Sequence, residues 1–219
     1  TIYQRNDLMA DVVIIDYGMG NIHSVYKSLV KVIDKNSNVK VSNSLNDIKN
    51  SSHIVFPGQG AASECMRNIS NHFDIIELKN VISQKPFLGI CMGLQVLMSN
   101  SEENEGTECL DLIDGNVISL KLQIDSLLKI PHMGWNKVNQ NQDHPIWNNI
   151  KNNSFFYFVH SYVVNPGNTT NTMSTTEYGI KFTSSVCRDN IAAVQFHPEK
   201  SSQLGLELLN NFVTWNGES

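Results

Sequence analysis

Short apolar runs alternate with glycine turns and helical stretches in the first half of the chain. Runs that are apolar on both faces are typical of strands in a buried parallel sheet. We predict such strands at 12–16, 39–41, 53–56 and 86–90. Helices are predicted over 22–32, after the glycine-rich loop that follows the strand at 53–56, and from about Leu94 after the strand at 86–90. Strands that alternate with helices in this way indicate βα units around a parallel sheet.

From Gly115 onward the pattern changes to short strands separated by polar turns. These strands are predicted at 116–120, 127–130, 155–159, 172–176, 180–186 and 191–196. A closing helix is predicted over 201–215, with a stripe of apolar residues at Leu204, Leu208, Leu209 and Phe212. Together the two halves predict an α/β three-layer sandwich with a mixed, mainly parallel central sheet.

Composition limits the classes of protein that fit. The chain has 219 residues, 41% hydrophobic residues and a formal net charge of −5, so we expect a single domain over 9–219 and no nucleic-acid surface. No apolar run approaches the roughly 20 residues of a membrane span, and no signal peptide opens the sequence. Residues 1–8 are polar and aperiodic, and we expect a cloning remnant or a disordered N-terminus there.

The cysteines show no pattern of pairing or metal binding. Cys65, Cys91, Cys109 and Cys187 form no Cys-x-x-Cys pair, which favours reduced thiols and a cytoplasmic location. No group of His, Cys, Asp and Glu has the spacing of a metal site. We therefore predict no metal and no cofactor.

Cys91 stands in an unusual local context. The segment Gly89-Ile-Cys-Met-Gly93 follows an apolar strand and precedes a helix, and this pattern is typical of a nucleophile elbow. A single cysteine is more often buried and inert. Here the flanking glycines and the strand-to-helix change favour a nucleophile, because a helix N-terminus stabilises the reactive thiolate.

A base for this nucleophile is predicted much later in the chain. The apolar strand at 191–196 ends in His197-Pro-Glu199, and the proline restricts the backbone between histidine and carboxylate. A nucleophilic cysteine needs a base that a third polar group orients. We predict a catalytic triad of Cys91, His197 and Glu199.

The two segments Gly-Ile-Cys-Met-Gly-Leu-Gln and Phe-His-Pro-Glu resemble the motifs of the class I (triad-type) glutamine amidotransferases. The resemblance implies a flavodoxin-like topology and hydrolysis of glutamine. It also implies an oxyanion hole at Gly58, Gln59 and Gly60, with the N–H of Met92. Gln59 departs from the aliphatic residue usual in the family, and a plain surface turn is the alternative for this loop.

The same resemblance implies residues that bind the substrate. Gln95, one helical turn after Cys91, is expected to hold the substrate amino acid, together with the segment His160-Ser161-Tyr162. Without the resemblance, a histidine on an apolar strand such as His160 is more often a satisfied core residue. Both interpretations stay open at this point.

Four further strings resemble the glutaminase subunits of imidazole glycerol phosphate synthases, at 16–21, 130–136, 157–162 and 197–201. That resemblance implies a heterodimer with a (β/α)8-barrel cyclase. The partner would use the ammonia to form imidazole glycerol phosphate and AICAR in histidine biosynthesis. The positions implied at the interface are Asn21, Trp135, Tyr157 and Lys200.

Other functions remain open from the sequence. A paralogous glutaminase could supply ammonia to a synthase of surface-polysaccharide sugars, and a non-catalytic regulatory subunit could share the fold. A cysteine hydrolase with another substrate is a further alternative. The turn Tyr17-Gly-Met-Gly-Asn21 lacks the full GxGxxG pattern, so we interpret it as a tight βα turn in preference to a phosphate site.

Overall fold

The computed structural model describes residues 12–123 and 128–218. The predictions for residues 1–8 therefore fall outside the described residues. The strands are β1 Val12–Ile15, β2 Val39–Ser42, β3 His53–Gly58, β4 Phe87–Cys91, β5 Asn100–Ser101, β6 Thr107–Glu108, β7 Gly115–Ser119, β8 His132–Gln140, β9 Ser154–His160, β10 Tyr162–Pro166, β11 Thr172–Tyr178, β12 Ile180–Arg188 and β13 Ile191–Val194. The α-helices are α1 Ile22–Val32, α2 Leu45–Asn50, α3 Ala62–His72, α4 Ile75–Ile82, α5 Met92–Gln95 and α6 Ser202–Thr214.

Five parallel strands form the centre of the sheet, in the order β2-β1-β3-β4-β13. This is the strand order of flavodoxin-like folds, with β13 as the fifth strand. Beyond β13 the antiparallel strands β12, β10 and β7 extend the sheet. The predicted mixed sheet with a parallel core is confirmed.

Alternate residues of the central strands face two separate hydrophobic layers. Val12 and Ile14 pack with α1 and α6, whereas Val13 and Ile15 pack with α2, α3 and α4. Because successive side chains of a strand point to opposite faces, the continuous apolar run of β1 supplies both layers. Helices on both faces make the three-layer sandwich that the sequence predicts.

The closing helix α6 forms as predicted. Leu208, Leu209 and Phe212 are fully buried, and Leu204 packs against the same cluster at its edge. This apolar stripe faces the sheet beside α1. The turn at 198–200 directly precedes α6 and packs against its first residues.

The hairpin of β8 and β9 extends the sheet through β11. The prediction of a strand at 127–130 is wrong, because 128–130 form no strand and Leu127 lies outside the described residues. The strand starts only after Pro131, whose missing N–H cannot join a ladder. Neither β8 nor β10 was predicted, because neither segment shows a clear alternation of apolar and polar residues.

Three buried histidines lie in this part of the fold. Burial lowers the pKa of His132 and of His144 to about 4, and that of His160 to about 3. His144 begins a short helical turn, where its Nδ1 accepts a hydrogen bond from the N–H of Ile146 at 3.2 Å. All three side chains are therefore neutral in the folded protein near pH 7.

The stability of the fold should decrease as the pH falls below about 6.5, the pKa of an unfolded histidine. Between about pH 6.5 and pH 4 the unfolded chain binds protons that these buried histidines do not, so protonation favours unfolding. Replacing His144 by Asn keeps an acceptor for Ile146. The slope of unfolding free energy against pH should then decrease by about 1.4 kcal/mol per pH unit. Urea unfolding at a series of pH values measures it, and an unchanged slope would contradict the role of His144.

Candidate active site

Cys91 lies at the carboxyl end of the central strand β4, where the chain turns sharply into α5. Its backbone has φ 55° and ψ −104°, a conformation that costs energy for a residue with a side chain. The neighbouring strand β3 ends at Gly58, directly beside Cys91. The predicted elbow is therefore present in the backbone, at the edge of the sheet where ligands bind in open α/β folds.

Two glycines allow this elbow to pack. A Cβ atom added at Gly93 would lie 1.9 Å from the carbonyl oxygen of Phe56, and one added at Gly89 would lie 2.5 Å from the carbonyl oxygen of Gly93. The start of α5 thus lies directly against β3 and β4. This contact forces the chain to leave the strand at Cys91.

His197 and Glu199 form a buried pair near Cys91. Nδ1 of His197 lies 2.8 Å from Oε1 of Glu199, and their side chains are only 2% and 1% exposed. The turn is tied to β9, because the N–H of His197 donates to the carbonyl of Tyr157 at 2.8 Å. Gly205 of α6 packs on the carbonyl of Pro198, where a Cβ would lie at 1.8 Å. The histidine is thus oriented from several sides.

The electrostatics of the site favour a protonated His197. Burial on its own would lower the pKa of His197, but the Cys91 thiol and the Glu199 carboxylate outweigh burial and raise the pKa well above its usual value. Nε2 of His197 forms no hydrogen bond with the described residues. An imidazolium with a free Nε2–H beside a thiol can stabilise a thiolate and can later donate its proton.

A cavity of about 450 Å³ opens above Cys91. Residues predicted as catalytic, as oxyanion donors, as substrate-binding or as interface residues line it together: Gln59, Gly60, Cys91, Met92, Gln95, His160, Ser161, Tyr162, His197 and Lys200. Its size is ordinary for a small-molecule site. The structure therefore brings most of the predicted residues into one place.

The remaining predicted residues lie around this cavity. Gly58 ends β3 beside Cys91, and Glu199 lies behind His197. Asn21 begins α1 at the same edge of the sheet. Trp135 and Tyr157 form a neighbouring pair on β8 and β9, with ring centroids 6.1 Å apart. The roles assigned to these residues stay predictions.

The glycine loop after β3 borders the cavity next to Cys91. Gly60 has φ 90°, a conformation suited to glycine, and Gln59 is exposed. The hydroxyl of Tyr17 donates to the carbonyl of Pro57 at 3.0 Å and holds the start of the loop.

The turn of Tyr17 to Asn21 is a tight βα turn, in which the N–H of Gly18 donates to the Asp16 carboxylate at 3.0 Å.

Four residues of the site were not predicted. Glu103, Pro131 and Val159 line the cavity, and the amide of Gln195 lies 3.7 Å from the sulfur of Cys91. Glu103 lies in an acidic stretch with Glu102 and Glu105, and nothing in the sequence shows which of these carboxylates reaches the cavity. Gln195 stands only two residues before His197, so its position in that motif was the signal available.

Comparison with known proteins agrees with this site. The model of the family "Glutamine amidotransferase class-I" matches residues 13–215. The imidazole glycerol phosphate synthase subunit HisH of Hydrogenovibrio crunogenus is 48% identical, over 94% of this chain and 97% of that protein. The HisH subunit of Nitrosococcus oceani is 47% identical, over 96% of this chain and 100% of that protein. The chain belongs to the class-I glutamine amidotransferases, in the family of the HisH subunits.

Solved structures of other amidotransferases share the fold. The glutaminase domain of Trypanosoma brucei CTPS, solved with bound acivicin, superposes with a TM-score of 0.65 at 16% identity, covering 93% of this chain and 92% of that one. A glutamine amidotransferase of Thermotoga maritima gives a TM-score of 0.59 at 17% identity, covering 91% and 80%. The expected α/β amidotransferase fold is confirmed.

No group of three or more His, Cys, Asp and Glu side chains in 12–123 and 128–218 is arranged to hold a metal ion. In the same residues, no helix has the length and apolar character needed to cross a membrane.

Replacing Gly93 by Ala should destabilise this amidotransferase. The added methyl group would overlap the carbonyl of Phe56, so α5 and β3 must separate. Overpacking of this kind costs about 3 kcal/mol. Urea unfolding of the variant measures the loss, and wild-type stability would show that the elbow packs less closely than described.

Proposed function

We propose that this chain, as the glutaminase subunit of imidazole glycerol phosphate synthase, hydrolyses L-glutamine to glutamate and ammonia. The ammonia then passes to a (β/α)8-barrel cyclase subunit, which forms imidazole glycerol phosphate and AICAR in histidine biosynthesis. One observation carries the catalytic part: Cys91, on its strained elbow, shares a cavity with a histidine that a buried carboxylate orients.

The first half-reaction forms a thioester. The thiolate of Cys91 attacks the side-chain amide carbon of glutamine, and the carbonyl oxygen becomes an oxyanion. Backbone N–H groups of the loop at 58–60 and of Met92 stabilise this oxyanion; one such donor contributes on the order of 3 kcal/mol. His197 then donates its proton to the leaving nitrogen as the C–N bond breaks, and ammonia departs.

The second half-reaction releases glutamate. His197, now neutral, takes a proton from a water molecule, and the hydroxide attacks the thioester carbon. The C–S bond breaks and the thiolate of Cys91 is restored, while Glu199 stabilises the imidazolium that forms. No redox partner or metal is needed for this cycle.

The walls of the cavity suit an amino acid substrate. Glu103 is the acidic residue among those lining the cavity, and its charge complements the α-ammonium group of glutamine. The segment of His160, Ser161 and Tyr162 and the side chain of Gln95 line the same cavity with polar groups. These residues support glutamine as the substrate.

An exposed apolar surface beside the cavity supports the proposed partner. Met133, Trp135 and Phe155 are 61%, 51% and 47% exposed on the outer face of the β8–β9 hairpin. Tyr157 lies on the same face, with Lys200 Nζ 5.9 Å from its ring centroid. Because Val159 and Lys200 also line the cavity, a partner on this face would cover its mouth and receive the ammonia.

Two further proposals concern the chain as a whole. We propose one domain over 9–219, which the match of the family model to 13–215 supports. We also propose a location in the cytoplasm. All four cysteines are free thiols, as is typical of a reducing compartment.

Glutamate release from glutamine tests the proposed activity. It should be slow with the chain alone and should rise sharply with a barrel-type cyclase subunit that holds its nucleotide substrate. Replacing Cys91 by Ala should abolish turnover while the fold and partner binding remain. Substantial activity of that variant would refute the nucleophile. A rate that the loaded cyclase leaves unchanged would refute the partner.

Replacing Trp135 by Ala tests the proposed interface. A half-exposed tryptophan at the centre of an interface is a typical hot spot, so the Kd for the cyclase subunit should rise about thirtyfold. Ile76→Ala is the matched control, because Ile76 is 73% exposed on helix α4 and does not line the cavity. Calorimetric titration measures both, and equal affinities of the two variants would place the interface elsewhere.

A further inference from the structure

We propose that Gln195 is a positioning residue for Cys91, donating a hydrogen bond that holds the sulfur and stabilises its negative charge. The proposal deepens the proposed glutaminase function and rests on it. Gln195 follows β13 and is fully buried. Its Nε2 lies 3.7 Å from Sγ of Cys91, whereas it does not line the substrate cavity. It would therefore act through Cys91 and not on the substrate.

The backbone carbonyl of Tyr162 sets the orientation of the Gln195 amide, and the side chain of Gln95 connects the two. Nε2 of Gln95 lies 3.3 Å from the carbonyl oxygen of Tyr162 and 3.3 Å from Oε1 of Gln195. A carbonyl oxygen can only accept a hydrogen bond, so the NH₂ group of Gln95 must face it. The second N–H of that group then meets Oε1 of Gln195, which turns Nε2 of Gln195 to the sulfur.

The reverse orientation is unfavourable at two contacts. If Gln195 alone were turned, its NH₂ group would face the NH₂ group of Gln95. If both amides were turned, Oε1 of Gln95 would face the carbonyl oxygen of Tyr162. Inside the protein, like groups left without partners cost about 1–3 kcal/mol each. The network thus selects a donor, not an acceptor, beside Cys91.

His160 also donates to the carbonyl of Tyr162, and His132 orients His160. Nδ1 of His160 lies 2.9 Å from the carbonyl oxygen of Tyr162, so it carries the proton. Nε2 of His160 then accepts from Nδ1 of His132 at 2.8 Å, and Nδ2 of Asn136 donates to Nε2 of His132 at 3.2 Å. Burial lowers the pKa of both histidines, which keeps them neutral and preserves this direction of donation.

A donor from Gln195 suits the chemistry at the sulfur. Sγ also lies 3.9 Å from the carbonyl oxygen of Val159, and a carbonyl accepts from a thiol but disfavours a thiolate. The N–H of Gln195 favours the thiolate, together with the His197 imidazolium. When the sulfur becomes a neutral thioester, this contact weakens. The donor therefore acts before the attack, by favouring the thiolate form that reacts.

The test measures the reactivity of Cys91 against pH in two glutamine variants. Gln195→Met keeps the approximate volume and removes the donor, and Gln140→Met is the matched control. Gln140 also donates through Nε2 to a carbonyl, that of Ile150 at 3.0 Å, on strand β8 outside the cavity. Iodoacetamide modifies the thiol, and mass spectrometry of the peptide with Cys91 separates it from the other cysteines.

In Gln195→Met the pH midpoint of Cys91 alkylation should rise by about one unit, since a hydrogen bond to a charged group is lost. The kcat for glutamine with the loaded partner should fall about tenfold, while KM changes less than about twofold. The Gln140→Met profile should match wild type. A folded Gln195→Met protein with the wild-type pH profile would overturn the proposal.

A second variant keeps the proposal testable if Gln195→Met does not fold. Gln195→Glu keeps the acceptor for Gln95 and replaces the donor by an oxygen, so the alkylation midpoint should rise further than in Gln195→Met. An unchanged midpoint in the folded Glu variant would also overturn the proposal. The alkylation does not depend on glutamine. If the wild-type protein fails to hydrolyse glutamine with any partner, the proposed function fails, while alkylation still decides the role of Gln195.

Discussion

The close packing of α5 on the central sheet is the constraint on which the site depends. Gly93 lies so close to the carbonyl of Phe56 that no side chain fits between them. The chain must therefore turn from strand to helix within one residue, and Cys91 takes the left-handed conformation at that turn. The turn also places Gln95 one helical turn below Cys91 and next to Gln195. One backbone contact thus sets the nucleophile and the amide network behind it.

The histidines in and around the cavity differ in protonation state: His197 is protonated, whereas His132 and His160 are neutral. All three of His132, His160 and His197 are buried, and burial alone lowers the pKa of each. Only His197 has a carboxylate and a thiol beside it, and these raise its pKa. His132 donates to His160, and His160 donates to the carbonyl of Tyr162, while burial keeps both rings neutral. Neighbouring charge, not burial, therefore separates His197, the proposed acid–base residue, from the other two.

The β8–β9 hairpin joins the outer surface to the cavity. Its alternating residues place Phe156 and Phe158 in the core and Trp135 and Tyr157 outside. The inward side of the same hairpin carries His160 to the cavity wall. A partner bound on the outer face would therefore contact strands whose inner side chains lead to Tyr162 and Gln95. Access to the cavity and contact with a partner are thus properties of one hairpin.

The sequence by itself determined what depends on local geometry: the alternation of βα units, the glycine-bounded turn at Cys91, and the His197–Glu199 pair separated by one proline. These follow from backbone preferences over a few residues. The tertiary structure alone decided which strands pair across long distances, so β8 and β10 were missed and a strand at 127–130 was wrongly expected. It also decided that Glu103 lines the cavity. The contact of Gln195 with Cys91 likewise depends on tertiary structure, because these two residues are 104 positions apart and meet only when β13 pairs with β4.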